Sequence, residues 1–284
     1  MSRLIFLASS FVCVCLFGSA AFGGLFGIDF DSGMMFSVSP VNASLTLVGS
    51  TGVSGFAEIE FAPDGTLYGF TTSSSANLYT INPSTAAVSV IGPLGLGFVF
   101  EGGLAFAPNG SAFGTNGDSA GNPQLFSLNL ATGAATVIGT ISGGAHDING
   151  LAYRSDGKLI GLDRESNSLL VIDPTTAVSS VLAAVPATVG GVGGMTVLGG
   201  VGYFNTSGPG GSIPGSNELY SFNLFTGAST LVGSFAPTIS GNGMSGLAAR
   251  VPEPSSVILA ACGLVGVAAW GWRRRTLARV VVKD

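Results

Sequence analysis

Apolar and polar residues alternate along most of this chain in short runs, and one such pattern recurs five times. Each copy begins with an alternating stretch, passes through a turn of the Asn-Pro or Thr-Gly kind, and ends with a second, β-branched stretch. Alternation with a period of two on both sides of a tight turn predicts a β-hairpin in each copy. The copies are MFSVSPVNASLTLVG at 35–49, LYTINPSTAAVSVIG at 78–92, LFSLNLATGAATVIG at 125–139, LLVIDPTTAVSSVLA at 169–183 and LYSFNLFTGASTLVG at 219–233.

A second pattern lies between successive copies of the first, and it also predicts a hairpin. It reads IEFAPDGTLYGF at 59–70, LAFAPNGSAFGT at 104–115 and LAYRSDGKLIGL at 151–162, with a degraded fourth copy, MTVLGGVGYFN, at 195–205. The Asp-Gly and Asn-Gly pairs favour tight turns, because these residues tolerate a positive φ. Copies of the first pattern start 43, 47, 44 and 50 residues apart. Four short strands in roughly 45 residues are the strand number and period of a β-propeller blade.

The two ends of the repeat region complete each other. The first unit begins at Leu25–Ile28 with the pattern of a second strand, so it lacks its own first strand. After the last unit, the segment MSGLAAR at 244–250 has the pattern of a first strand, but no second strand follows it. Joining the two gives five four-stranded blades and leaves no open edge. The sequence therefore predicts an all-β fold over residues 24–250, a five-bladed β-propeller closed by its C-terminal strand. An open solenoid or a sandwich of the same hairpins is the alternative.

Aromatic residues recur at alternate strand positions of both hairpins, and we expect them to pack between blades: Phe61, Phe106, Phe126, Tyr153 and Tyr220. The repeats resemble those of exported bacterial propeller-like proteins, in which stretches of the kinds GLAF-P-DG-LYG and LY-IDP-TG--T-IG alternate, and NHL-type propellers are similar. The resemblance covers about residues 25–250. It implies an architecture and no particular activity, because propellers carry binding, scaffolding and catalysis alike.

Few residues suit nucleophilic or metal-dependent catalysis. His146 is the single histidine, no G-x-S-x-G turn occurs, and the three cysteines all lie in the two terminal apolar segments. A Ser-His-Asp triad and a zinc site built on His or Cys are therefore not expected. The carboxylates of Asp29 and Asp31 alternate as in a calcium loop but lack its later ligands, which favours a polar turn.

A set of polar residues is predicted to precede the first strand of their units: Glu58, Glu101, Asp147, Asn149 and Asn242. The equivalent loops of a propeller gather at one end of the central channel, where propeller lactonases coordinate calcium through Glu, Asn and Asp. These five residues are therefore candidate channel-mouth ligands. They do not align from unit to unit, since Glu101 falls opposite positions 56 and 148, which favours solvated loops over a metal site.

The charge of the repeat region bears on its partners. Residues 24–250 carry thirteen acidic and four basic side chains, a net charge of −9 against −5 for the whole chain. Such an acidic domain is repelled by phosphate backbones, so we do not expect it to bind nucleic acid. Acidity with few lysines suits a domain that works outside the cell.

The N-terminal residues predict export. Arg3 is followed by an apolar run that ends at Phe17 and by small residues at 18–23. This is the three-part layout of a secretory signal peptide, which we assign to residues 1–23. A retained N-terminal anchor helix is the alternative.

The C-terminal residues predict a membrane segment with a charged stop. Residues 257–272 are uncharged and predominantly apolar. As a helix they would span ~24 Å, short of a hydrocarbon core of ~30 Å. We predict a transmembrane helix there, because Arg273, Arg274 and Arg275 follow it and favour the cytoplasmic side. Residues 276–284 would then form a cytoplasmic tail.

The triplet Pro252, Glu253 and Pro254 precedes this apolar segment and the arginine cluster. The three ordered parts over residues 251–275 resemble the PEP-CTERM sorting signal, although the tail after them is longer than usual. The resemblance implies recognition and cleavage near the motif by an exosortase. The protein would be held in the inner membrane before processing and then be released or attached at the cell surface, often in bacteria that produce exopolysaccharide.

We therefore expect an exported surface or extracellular-matrix protein whose propeller acts by binding or as a structural element, with polysaccharide or surface proteins as candidate partners. The alternative is a propeller enzyme, such as a calcium-dependent hydrolase similar to the lactonases. The first hypothesis needs no cofactor, and calcium is the cofactor that the second would require.

Overall fold

A computed structural model of the chain describes residues 24–116, 122–143, 147–185, 193–206, 217–235, 238–239 and 241–250. All of them belong to one compact unit, Gly23–Val251. The described residues form twenty β-strands and no helix. None of their elements is a long apolar helix of the kind that crosses a bilayer.

The strands follow one another as four-residue to six-residue segments with a single three-residue exception. Blades 1 and 2 contain β1 (Leu25–Asp29), β2 (Met34–Val38), β3 (Leu45–Ser50), β4 (Phe56–Phe61), β5 (Leu67–Thr71), β6 (Asn77–Ile81) and β7 (Val88–Pro93). Blade 3 contains β8 (Leu104–Phe106), β9 (Ala112–Asn116), β10 (Gln124–Leu128) and β11 (Ala135–Thr140). Blade 4 contains β12 (Ile148–Tyr153), β13 (Leu159–Asp163), β14 (Ser168–Ile172) and β15 (Ser179–Ala184). Blade 5 contains β16 (Met195–Leu198), β17 (Val201–Asn205), β18 (Glu218–Phe222) and β19 (Ser229–Ser234), and β20 (Met244–Ala249) ends the series.

The strand order confirms the predicted closure. Four sheets run in sequence order from the innermost to the outermost strand, whereas the fifth has the order β20-β1-β2-β3. In that sheet β20 pairs antiparallel with β1, so that Leu25 lies opposite Ala249 and Gly27 opposite Leu247. The last strand of the chain is thus the innermost strand of blade 1, and the ring of five four-stranded blades is a β-propeller.

The degraded fourth hairpin still forms a complete innermost pair. β16 pairs with β17 in continuous register from Met195 opposite Phe204 to Leu198 opposite Val201. The connecting residues Gly199 and Gly200 have φ values of 59° and 82°. Two consecutive positive φ angles define a two-residue hairpin turn here, in place of the Asp-Gly or Asn-Gly turn of the other copies.

The core lies between blades, as the aromatic pattern predicts. Five clusters of buried apolar residues each draw on two neighbouring blades. Phe106 packs against Tyr68 of the preceding blade with ring centroids 5.5 Å apart, and Phe126 packs against Phe70 at 6.1 Å. Apolar burial of this kind stabilises the ring in proportion to area, at ~25 cal/mol per Å².

The outer rims of neighbouring blades meet through small residues. The turn after each third strand approaches the outermost strand of the preceding blade, and Ala86 there lies against Gly49. Between blades 4 and 5 the two residue types are exchanged: the turn of blade 5 carries the glycine, Gly227, and the outermost strand of blade 4 carries the alanine, Ala183. One methyl group fills each of these two contacts, so a second one would be too large for the space.

Candidate ligand site at the channel mouth

The innermost strands β20, β4, β8, β12 and β16 surround the axis of the ring, and each contacts the next. At one repeat position glycine stands in or immediately before four of these strands, as Gly246, Gly103, Gly150 and Gly194. Two residues further on the same strands carry alanine or threonine. Strand β4 differs, because Glu58 and Glu60 occupy these two positions. The small residues on the other four strands leave the room that the two glutamates fill.

Glu58 lies at the centre of the ring and is completely buried. One carboxylate oxygen accepts hydrogen bonds from the backbone N–H of Leu247 in β20 at 2.7 Å and of Ile59 at 3.1 Å. The other accepts from Met195 in β16 at 3.1 Å. Burial nevertheless raises the pKa of the Glu58 carboxyl group well above its usual range. This side chain therefore joins three blades from the inside.

Glu60 makes a second connection across the axis, one step along β4. Its Oε2 accepts from the hydroxyl of Thr196 in β16 at 2.5 Å, and its Oε1 accepts from the backbone N–H of Phe61 at 2.8 Å and of Ala249 at 3.3 Å. Burial raises the pKa of Glu60 to about 8. A carboxyl group with this pKa holds its proton at neutral pH, which removes the cost of burying a charge.

Other polar residues collect where the innermost strands begin, which we call the mouth. A narrow space of about 10 Å³ there is lined by Glu101, Asn149 and Asn242, among others. It has room for about one water molecule. Asn149 donates a hydrogen bond to Glu101 Oε2 at 2.6 Å, so two of the predicted mouth residues are in direct contact.

A larger pocket opens beside this space and has a volume of about 330 Å³. Glu101 and Asp147 line it together with Arg164, which lies after β13. Arg164 Nη1 is 3.4 Å from Glu101 Oε2 and 3.8 Å from Asp147 Oδ2. Burial raises the pKa of Glu101, while the guanidinium of Arg164 acts in the opposite direction. We call this cavity, with its carboxylates and its guanidinium, the mouth pocket.

Two exposed phenylalanines form the apolar wall of the mouth pocket. Phe98 and Phe100 are 49% and 46% exposed, and their ring centroids lie 4.4 Å apart. Between them Val99 is fully buried and pairs with Ser73 through two backbone hydrogen bonds of 2.9 and 3.0 Å. Asn116 adds a bond from its side-chain N–H to the Phe98 carbonyl at 2.8 Å. The loop therefore holds both rings outward while its centre is anchored.

The alternating carboxylates at the end of β1 and in the turn that follows it belong to a polar turn. Asp29 Oδ1 accepts from the backbone N–H and the hydroxyl of Ser32 at 2.8 and 2.5 Å. Asp31 accepts from the backbone N–H and the side-chain amide of Asn242, both at 2.8 Å. Asn242 therefore joins the loop that precedes β20 to blade 1. Among the described residues no group of three or more His, Cys, Asp or Glu is arranged to hold a metal ion.

The structure divides the five candidate mouth residues into two places. Glu101, Asp147, Asn149 and Asn242 line the narrow space or the mouth pocket, whereas Glu58 lines neither and lies at the ring centre.

Sequence reasoning did not single out several residues of these sites. Glu60 was detectable, because it stands where other repeats have alanine or threonine. Arg164 was detectable as one of four basic residues in the repeat region. Phe98 and Phe100 gave a weaker signal, since nothing in the sequence marks which phenylalanines are exposed.

Several predictions concern residues outside the described ranges. These are the signal peptide at 1–23, His146, the triplet Pro252-Glu253-Pro254, the helix at 257–272, the arginines 273–275 and the tail at 276–284.

Comparison with known proteins gives one sequence match and several structural ones. Residues 250–275 match the family model of the PEP-CTERM protein-sorting motif. No curated protein matches the sequence. One chain from the crystal structure of a nidogen/laminin complex is similar in fold, with a TM-score of 0.55, 11% identity, and coverage of 81% of this chain and 99% of that one. That likeness concerns the fold alone.

Two further solved structures have lower scores. A structural genomics protein of unknown function from Bacteroides thetaiotaomicron gives a TM-score of 0.49 at 16% identity, covering 80% of this chain and 70% of that one. Virginiamycin B lyase from Staphylococcus aureus gives 0.43 at 9% identity, covering 70% and 62%.

Fold and motif together define the class of this protein. It is an exported five-bladed β-propeller that carries a PEP-CTERM sorting motif at 250–275. The motif implies that the protein is anchored in the membrane before an exosortase processes it.

Proposed function

We propose that this protein is a non-catalytic binding propeller, displayed at the cell surface or in the extracellular matrix, whose ligand occupies the mouth pocket. The observation that carries the proposal is the pocket itself. It combines a volume of about 330 Å³ with an anchored aromatic wall and a few polar groups. Ligand sites in proteins are typically concave, partly aromatic and equipped with a small number of orienting polar groups.

The charges in the pocket support binding over hydrolysis. A calcium-dependent hydrolase needs carboxylates that converge on the metal, and here the guanidinium of Arg164 lies beside Glu101 and Asp147. A positive charge at this distance opposes a divalent cation at the same carboxylates. We propose that the domain needs neither calcium nor another cofactor.

In this proposal the two terminal signals bring the propeller to the cell surface. The signal peptide at 1–23 exports the domain, and the helix at 257–272 with its three following arginines holds it at the inner membrane. Exosortase then cleaves near Pro252-Glu253-Pro254 and releases the propeller to the surface, where polysaccharide or surface proteins are its candidate partners.

The sorting step is tested by replacing Pro252, Glu253 and Pro254 with alanine in the full chain. On an immunoblot with an N-terminal epitope placed after residue 24, the wild type should shift to the processed size and the variant should not. Replacement of Val280, Val281 and Val282 with alanine, outside the matched residues 250–275, is the matched control and should leave processing intact. Unchanged processing of the triple variant would contradict this role of the motif.

The non-catalytic role is tested on the full chain in mild detergent. Calcium chloride should not raise the melting temperature, and aliphatic and aryl lactones should not be hydrolysed above the rate of a buffer blank. Calcium-dependent lactone hydrolysis that disappears in Glu101→Gln would refute the proposal and favour the propeller hydrolase.

A further inference from the structure

We propose that the mouth pocket recognises an uncharged pyranose ring of a glycan, stacked on Phe98 and Phe100 and hydrogen-bonded by Glu101, Asp147 and Arg164. This inference rests on the proposed binding function and names the chemical class of its ligand. It follows from three properties of the pocket: its apolar wall, its paired charges and its size.

The apolar wall suits a flat ligand with an apolar face. Phe98 and Phe100 are both about half exposed, and their ring planes are inclined by 52°. The face of an aromatic ring is electron-rich, so it attracts the weakly positive C–H groups that a pyranose presents on one side. Val99 is buried and bonded to Ser73, so the loop backbone that carries the two rings does not have to be ordered when a ligand binds. Such preorganisation favours affinity.

The polar part of the lining suits hydroxyl groups. A hydroxyl both donates and accepts, so neighbouring hydroxyls of one sugar can bond to the carboxylates of Glu101 and Asp147 and to the guanidinium of Arg164. Bonds of this kind to charged groups are stronger than those between neutral groups. Side-chain exposures of 40% for Glu101 and 47% for Arg164 leave room for such contacts beside their ion pair.

The same charges disfavour ionic ligands. An organic cation, such as a quaternary ammonium group, would also stack on phenylalanine, but Arg164 repels it from the same pocket. A uronate or a sulfate would meet the carboxylates of Glu101 and Asp147 and would have to displace their ion pair with Arg164. An uncharged ligand avoids both penalties and keeps all three charged groups as hydrogen-bond partners.

The size of the pocket agrees with one or two sugar rings. A volume of about 330 Å³ is at the lower end of the range for small-ligand sites. The pocket opens to solvent beside the exposed rings, so the rest of a chain could continue outward from the bound ring.

The test is binding of the full-length protein, in mild detergent, to an array of neutral hexose and N-acetylhexosamine oligosaccharides, together with uronic-acid and sulfated oligosaccharides and immobilised choline. We expect retention on at least one neutral glycan and none on choline. For a retained neutral oligosaccharide, Phe98→Ala and Phe100→Ala should each weaken binding in solution by roughly tenfold, the scale of one lost aromatic contact.

A matched control distinguishes stacking in the mouth pocket from nonspecific binding to an exposed aromatic ring. Phe225 is 57% exposed and lies in the turn between β18 and β19, at the other end of the ring, so Phe225→Ala should leave binding unchanged. Melting temperatures of Phe98→Ala and Phe100→Ala should stay near that of the wild type, because the removed rings are about half exposed. Phe225→Ala should cost somewhat more stability, because the guanidinium of Arg154 lies over that ring at 5.0 Å.

The outcomes distinguish this inference from the proposed function. Retention of choline or of anionic glycans alone, lost in Phe98→Ala, would leave a binding propeller and overturn the neutral pyranose. Neutral-glycan binding that is equally weakened by Phe225→Ala, or unaffected by both mouth variants, would overturn the assigned site. Failure to retain any neutral glycan would also overturn the inference, whereas only calcium-dependent hydrolysis would overturn the binding function itself.

Discussion

The buried carboxyl group of Glu60 makes the stability of the ring depend on pH in an unusual direction. Burial raises its pKa from 4.5 to about 8, so between these values the folded protein keeps a proton that the unfolded chain has lost. The free energy of unfolding therefore decreases by about 1.4 kcal/mol per pH unit in this window. Over the whole window Glu60 contributes at most about 5 kcal/mol, which is present below pH 4.5 and lost as the pH rises through about 8.

Glu60→Gln isolates this contribution. Glutamine has the same shape, and its carbonyl oxygen can still accept from the backbone N–H of Phe61 and Ala249. Its amide N–H₂ faces the hydroxyl of Thr196, which then accepts. We expect the variant to be as stable as the wild type near pH 5 and more stable by several kcal/mol at pH 8.

Urea unfolding followed by far-ultraviolet circular dichroism at pH 5, 6, 7 and 8 measures these differences. Burial also raises the pKa of Glu58, so some dependence of the unfolding free energy on pH should remain in Glu60→Gln. Its slope against pH should be smaller than that of the wild type by the equivalent of about one proton. Glu165→Gln, at an exposed position, is the control and should keep the wild-type slope. Equal slopes for wild type and Glu60→Gln, or a wild type that gains stability from pH 5 to pH 8, would refute the reasoning.

Two further predictions concern packing and hydrogen bonding between blades. Gly227→Ala should destabilise the protein by about 2–4 kcal/mol, because φ is 72° and the new methyl group meets the Cβ of Ala183. Adding Ala183→Gly should recover at least half of that loss in a thermal melt, and a double variant no better than the single one would contradict the complementarity. Thr115→Val should cost about 2–3 kcal/mol, because the fully buried hydroxyl donates to the Ile148 carbonyl at 3.0 Å and accepts from the Gly103 N–H at 2.7 Å. Thr115→Ser, which keeps the hydroxyl, should retain most of the stability in the same melt, and a Thr115→Val variant as stable as the wild type would contradict the role of these two hydrogen bonds.

Local periodicity determined the strands and their number. Alternation with a period of two, the Asn-Pro, Thr-Gly and Asp-Gly turns, and a spacing of roughly 45 residues are properties of neighbouring residues, so they are legible without the fold. The unpaired strand at 244–250 also indicated the closure, which the pairing of β20 with β1 confirms. The sorting motif was legible for the same reason, since its three parts follow one another directly along the chain.

Which side chains lie at the centre of the ring depends on the tertiary structure. Glu58 belonged to the candidate mouth residues by its position before the repeat phrase, yet it lies inside the ring. The pairing of β4 with β5 shifts register between Phe56 and Glu58, and such a bulge re-aims the side chains that follow it. Its partners Met195 and Leu247 are 137 and 189 residues away, and no local pattern encodes contacts over such distances.

The mouth pocket, too, depends partly on neighbouring residues in the sequence and partly on contacts between residues far apart in it. The sequence by itself predicted that Glu101, Asp147 and Asn149 lie before or at the start of the first strands of their blades, and hence that they share one end of the ring. Only the tertiary structure placed Arg164 between the two carboxylates, and only burial of Val99 against Ser73 turned the neighbouring phenylalanines outward. Strand formation depends on residues a few positions apart, whereas a binding pocket depends on which loops the closed ring brings together.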